Sequence, residues 1–193
     1  MRVNLPVTNN EYDFPADELL MSPTDTNGVL THRNAPFARV SGFTMEELMG
    51  QPHNLIRHPD MPPEAYKDLW ATIGRGRNWT GLVKNRRKDG GFYWVRANVT
   101  PIMEGGKPRG YLSVRTKPGR AEVQQAEELY AQLRSDLAAQ RETVRLHNGQ
   151  EVHPGMRGAL QRLRQLSATQ TLALMLFAVV LLGMLPHWLG WQG

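Results

Sequence analysis

The chain has 193 residues, 23 Lys and Arg against 18 Asp and Glu, a formal net charge of +5, and no cysteine. The length suits one domain of ordinary size with appendages. The lack of cysteine excludes disulfides, zinc-thiolate sites, thiol catalysis and a covalent thiol adduct, so a cofactor here is held non-covalently or through histidine.

The start is polar and acidic (Asn4, Asn9, Asn10, Glu11, Asp13), with no apolar run behind a basic head, so no signal peptide is expected. Residues 1–17 read as an N-terminal cap. A short strand is expected near Leu19–Ser22. Asp25-Thr26-Asn27-Gly28 is a tight-turn signal, and Val29–His32 reads as a second strand. Asn34 opens a short helical stretch with Phe37 and Val40 on one face, ended by Gly42. Thr44 and Glu47 form a capping box for a second short helix stopped by Gly50. Tyr66, Leu69, Trp70 and Ile73 recur at helical spacing over Glu64–Ile73. Strand patterns follow at Trp79–Arg86, Phe92–Pro101 and Gly110–Thr116, joined by Gly-containing turns. The expectation is an α+β domain over residues 18–117, with a five-stranded antiparallel sheet and short helices between its second and third strands.

Pro118-Gly119 marks a boundary. Val123, Ala126, Tyr130, Leu133 and Leu137 then alternate steps of three and four, which predicts an amphipathic helix that either packs on the sheet or forms a dimer seam. Asn148-Gly149 centres a small hairpin over 144–152. Met156, Leu160, Leu163 and Leu166 mark a short juxtamembrane helix, so 118–166 reads as a linker. From Gln165 to Gly193 there is no charged residue. With Arg157, Arg162 and Arg164 upstream and Trp188 and Trp191 near the end, residues 167–193 are expected to anchor the chain in the inner membrane, with the preceding domain in the cytoplasm.

The most chemically loaded stretch is Arg57-His58-Pro59-Asp60. Pro59 disfavours helix at His58. Arg57 offers a planar fork to an anion, and Asp60 accepts hydrogen bonds. On residues alone, Arg57 and Asp60 pairing with each other in a surface loop is an equal reading. On pattern Trp70 reads first as core packing, Trp79 reads as core packing as readily as a ligand contact, and Asn34 as a helix cap or turn residue. The Lys84–Lys88 run lacks the aromatic interleaving of a nucleic-acid surface, so no nucleic-acid partner is expected. His58 beside Asp60 lacks a nucleophile or second carboxylate motif, so no enzyme is expected. The histidines lack paired metal-ligand spacing.

Asp25-Thr26-Asn27-Gly28, Asn34, Ser41–Gly50, His58-Pro59-Asp60 and Lys88-Asp89-Gly90-Gly91-Phe92-Tyr93-Trp94-Val95 together resemble a PAS sensor domain, in order and at the usual spacing. Gly50–Asn54, Ile56–Pro62, Trp79, Val83–Lys88 and Tyr93–Asn98 extend the resemblance to PAS domains of the aerotaxis-receptor family. It is strong over about residues 18–117 and weaker through the linker to the anchor. The resemblance implies a non-covalent FAD in a pocket formed by Asn34, Arg57, His58, Asp60, Trp70, Trp79 and Asn85. It implies redox or oxygen sensing, a homodimer, and chemoreceptor signalling partners reached through domains beyond this chain. A cofactor-free PAS interaction module and a flavin-dependent oxidoreductase are the competing readings.

Overall fold

A computed structural model describes residues 2–153. The expected α+β architecture is present, built on a four-stranded antiparallel sheet in the order β1-β4-β3-β2. The strands are β1 (Leu20–Asp25), β2 (Trp79–Arg86), β3 (Phe92–Glu104) and β4 (Lys107–Thr116). Between β1 and β2 lie α1 (Ala35–Ser41), α2 (Met45–Leu48), a 3-10 turn at His53–Ile56 and α3 (Pro63–Ile73). Helix α4 (Arg120–Ala138) and a separate two-stranded hairpin, β5 (Arg145–His147) with β6 (Gln150–Val152), follow.

The five-stranded expectation is corrected to four. The segment after the Asp25–Gly28 turn does not continue as a strand. Only Leu30 bridges back to Thr24, while Val29 bridges to Pro52. The reason is a division of hydrogen bonds. Asp25 N–H donates to the Val29 carbonyl, but Leu30 N–H turns to Gln51 and His53 N–H reaches Gly28. The segment is thus shared between β1 and residues 50–53. Two of the local signals work as the chain implies. Asn34 caps α1 by accepting from Phe37 N–H, and Thr44 and Glu47 close their capping box around α2.

Strand alternation gives the sheet two faces. One carries Leu20, Ser22, Trp79, Val83, Asn85, Ala97, Val99, Tyr111, Ser113 and Arg115 toward the short helices. The other carries Lys84, Trp94 and Arg96 toward α4. There Trp94 stacks on Tyr130 with centroids 6.3 Å apart, and the Tyr130 hydroxyl donates to the Leu82 carbonyl at 2.5 Å. Val123, Ala126, Tyr130 and Leu133 are buried, so the apolar stripe of α4 is used on the sheet of its own chain.

The N-terminal segment is docked along its length. Asn4 Nδ2 donates to the carbonyls of Asn54 and Arg57, each at 2.9 Å. Arg86 Nε donates to the Pro6 carbonyl at 2.9 Å, Tyr12 N–H to Phe92 at 2.7 Å, and Glu11 pairs with Arg120 at 2.7 Å. Among the described residues no helix is long and apolar enough to cross a membrane. The expected juxtamembrane helix and anchor, residues 154–193, lie outside the described residues.

Candidate functional site

Between the inner sheet face and α3 with the 3-10 turn lies a cavity of about 350 Å³. That volume falls in the range of small-molecule sites. Ile73, Leu69, Val83, Ala97 and Val99 give it apolar walls; Asn27, Gly28, Asn54 and Trp70 also border it. Trp70 is 40% exposed and meets Tyr111 edge-on at 5.6 Å.

The polar lining is unusual in what it lacks. Asn85 is 2% exposed and Ser113 6%, yet Asn85 Nδ2 and Ser113 Oγ have no hydrogen-bond partner among the described residues. The buried Nε of Arg57 also has none. Buried donors without acceptors are costly, roughly 1–3 kcal/mol each. Three such groups meet at this one cavity, where a ligand could complete them, while Trp94 Nε1 and His58 Nε2 are unpartnered elsewhere.

Arg115 stands at the same cavity. Its guanidinium donates to Ser22 Oγ at 2.7 Å and to His53 Nε2 at 2.6 Å, and no carboxylate pairs with it among the described residues. Burial brings its pKa down to about 10, so it stays charged at neutral pH. His53 is stacked 6.1 Å from Phe37, and burial, with Arg115 and Arg57 adding to it, holds its pKa well below the ordinary range. It is a neutral acceptor with its proton on Nδ1. Arg57 lies 3.6 Å above the Tyr66 ring, and burial raises the Tyr66 pKa to about 12 against the opposing effect of Arg57. The cavity therefore combines cationic and neutral donors with apolar walls, and among the described residues nothing acidic lines it.

Of the seven residues expected here, Arg57, Trp70 and Asn85 line the cavity. The remaining four do not. Asn34 is turned into the fold: its Oδ1 accepts from Met21 and Phe37 N–H, and its Nδ2 donates to Leu19. Trp79 is 1% exposed and donates Nε1 to Asp68 at 2.8 Å. A Cβ on Gly81 would sit 2.5 Å from its ring, so the strand must be bare at that point. His58 and Asp60 are separated from Arg57 by the sheet edge. The strip crosses β2, with Arg57 bridged to Asn85 on the inner side. Asp60 pairs with Lys84 at 2.6 Å on the outer side, and Arg134 of α4 donates to its carbonyl. His58 lies between, its Nδ1 accepting from Asp60 N–H at 3.2 Å, and burial pushes its pKa to about 4. Arg57 and Asp60 thus do not pair with each other.

Arg115, Ser22 and Ser113 were not singled out from sequence, and His53 was weighed only as a haem or metal ligand. The signal was present in part: in Tyr111-Leu112-Ser113-Val114-Arg115, alternation places Tyr111, Ser113 and Arg115 on one face.

The PAS fold family matches residues 30–115. Residues 30–115 are a PAS domain. This PAS domain and its flanks are 46% identical over 157 residues to the aerotaxis receptor of Escherichia coli strain K12, covering 81% of this chain and 30% of that protein. The nitrogen fixation regulatory protein of Klebsiella pneumoniae is 32% identical over 92 residues, 48% of this chain and 18% of its own length. The chain therefore spans less than a third of these relatives. Among solved structures, the light-state Aureochrome1 LOV photoreceptor superposes with a TM-score of 0.50 at 17% identity, over 60% of this chain and 91% of that one. That likeness speaks to the PAS fold alone.

Proposed function

We propose that the cavity holds FAD non-covalently and that the domain is the redox- and oxygen-sensing part of an aerotaxis-type chemoreceptor. The observation that carries this reading is the set of unpartnered polar groups, Asn85 Nδ2, Ser113 Oγ and Arg57 Nε, around a cavity with apolar walls. A flat heterocycle edged with carbonyl oxygens and ring nitrogens supplies what those groups lack. Asn85, Ser113 and Arg115 would meet its polar edge, and His53 holds Arg115 in place. Arg57 and Asn54, with Trp70 near them, would face the phosphate-bearing remainder. The sequence likeness to an aerotaxis receptor supports the sensing role.

When bound, the flavin supplies reversible electron uptake. The protein's part is binding and electrostatics. Arg115 is a buried cation with no carboxylate against it among the described residues, so it favours a ligand that is neutral or negative at its polar edge over one that is positive. With His53 neutral, Arg115 is the fixed charge and His53 only an acceptor. Membrane attachment through residues 167–193, dimerisation and contact with chemoreceptor signalling proteins through domains beyond this chain belong to the same proposal.

The test is direct. Detergent-solubilised protein should carry a flavin absorption spectrum and release FAD, identified by chromatography, on heating. Wild-type protein that remains colourless after incubation with FAD overturns the proposal and leaves a cofactor-free interaction module.

A further inference from the structure

The carboxylate of Asp68 holds three N–H groups that come from two other parts of the fold. Trp79 Nε1 donates at 2.8 Å, Asn148 N at 2.8 Å and Gly149 N at 2.6 Å. Asp68 lies on α3, whose Tyr66, Leu69 and Trp70 line the cavity. Trp79 opens β2, whose Val83 and Asn85 line it from the other side. Asn148 and Gly149 are the tip of the β5–β6 hairpin. One side chain therefore ties two walls of the cavity to the last described element of the chain.

The hairpin tip is shaped for this contact. Asn148 and Gly149 have φ of 53° and 77°, which turns two successive N–H groups toward one acceptor. Gly149 also lies so close to β2 that a Cβ on it would fall 1.8 Å from the Thr80 carbonyl oxygen. Residues before the hairpin are fixed separately. Asp136, 3% exposed on α4, accepts from Thr143 N at 2.8 Å and from Arg141 at 3.1 Å. The hairpin is thus pinned at its base to α4 and at its tip to α3 and β2. The tip is the part of the hairpin bonded to Asp68, and β5 packs against α3 beside it.

We propose that Asp68 is a positioning residue that couples occupancy of the cavity to docking of the β5–β6 hairpin. This rests on the reading of the cavity as a flavin site. A ligand between α3 and β2 sets their separation, and the Asp68–Trp79 bond spans that separation. When the two walls are held at the spacing that bond needs, the Asp68 carboxylate is aimed at the hairpin N–H groups. When they are not, the tip loses its acceptor while its base stays fixed. Coupling of this kind is reciprocal: what loosens the tip must weaken the ligand by the same factor.

The experiment uses the full chain in detergent, with FAD as the probe and two variants, Gly149→Ala and Asp68→Asn. Neither residue lines the cavity. Hydrogen exchange is followed over residues 63–73 and 145–150. In wild type, FAD should slow exchange at 145–150. Both variants should bind FAD more weakly, by about fivefold or more, the lower end of ordinary coupling factors. Both should exchange faster over 63–73 even without FAD. Wild-type exchange at 145–150 that is the same with and without FAD, together with unchanged affinity in the variants, overturns the coupling while leaving the flavin reading intact. If wild type takes up no FAD, the flavin reading fails and the coupling, which rests on it, is overturned with it.

Discussion

The two faces of one sheet solve opposite problems with neighbouring residues. On the outer face rings meet rings and charges meet charges. Trp94 stacks on Tyr130, Lys84 pairs with Asp60, and Arg96 pairs with Glu122. On the inner face, one residue along in each strand, Asn85 and Ser113 keep unpartnered atoms and Arg115 has no carboxylate among the described residues. The outer face is covered by α4 of the same chain, with Trp94 Nε1 its one unpartnered buried atom among the described residues, and it supplies stability. The inner face is left incomplete, at a cost in stability that a ligand would offset. A sheet can divide these tasks because its side chains alternate, so a change on one face reaches the other only through the backbone.

The largest effect should come from breaking the finished face. Trp94→Ala removes a ring that is 4% exposed and stacked on α4. A loss of about 3–5 kcal/mol in unfolding free energy is expected. Denaturant titration will measure it. If the faces are independent, protein that stays folded should bind FAD with little change in affinity.

Acid should act next, and through the strip that crosses the sheet edge. Burial lowers the His58 pKa from 6.5 to about 4. The unfolded chain therefore takes up a proton in a range where the native state refuses it. Stability from this group is whole above about pH 6.5, falls as pH drops toward 4, and changes little below that. The shift corresponds to a loss on the order of 3 kcal/mol. His53, also depressed, acts in the same direction. A His58→Gln variant should flatten the stability profile between pH 6.5 and 4, and an unchanged slope would remove His58 from the account.

The comparison is sharpened most by Arg115→Met. On a finished face, removing a buried charge that has partners should destabilise. On a face left open for a ligand, the ligand-free protein should be as stable as wild type or more so, because a buried cation held by Ser22 and His53, with no carboxylate against it among the described residues, has been replaced by an apolar chain. FAD affinity should meanwhile fall by at least about tenfold, the loss of one charge-assisted contact. Thermal melts without ligand and fluorescence titration with FAD separate the two quantities. The smallest effect is expected at Asn34→Ala. Loss of the α1 cap should lower stability by about 1 kcal/mol. FAD affinity measured on the folded fraction should not change, and a large drop there would return Asn34 to the pocket.

Local order was the legible part of the sequence. Trp79–Arg86 reads as a strand over the same residues the structure assigns to β2, because alternation and flanking glycines agree there. The Thr44–Glu47 box and the Asn34 cap were visible because capping depends only on near neighbours. Val29–His32 was misread because its pattern suits a strand, while its hydrogen bonds are shared with residues 50–53, which no local pattern reports. The Arg57–Asp60 strip was singled out as one unit, yet the structure divides it, since consecutive residues at a sheet edge pass from one face to the other. Arg115 was invisible for a related reason. Its face could be counted from Tyr111 and Ser113, but that no acid lies opposite it is a fact about distant segments.

The docking of the N-terminal segment bears on how such a domain can be moved between proteins. The family match begins at residue 30, but Ser22, which holds Arg115, and Asn4, which holds the backbone of Asn54 and Arg57, both precede it. A chimera that grafted only residues 30–115 onto another receptor would leave Arg115 short of one acceptor, two carbonyls beside the cavity bare, and Arg86 without the Leu5 and Pro6 carbonyls. The transplantable unit is longer than the recognisable one, and its first residues must travel with it.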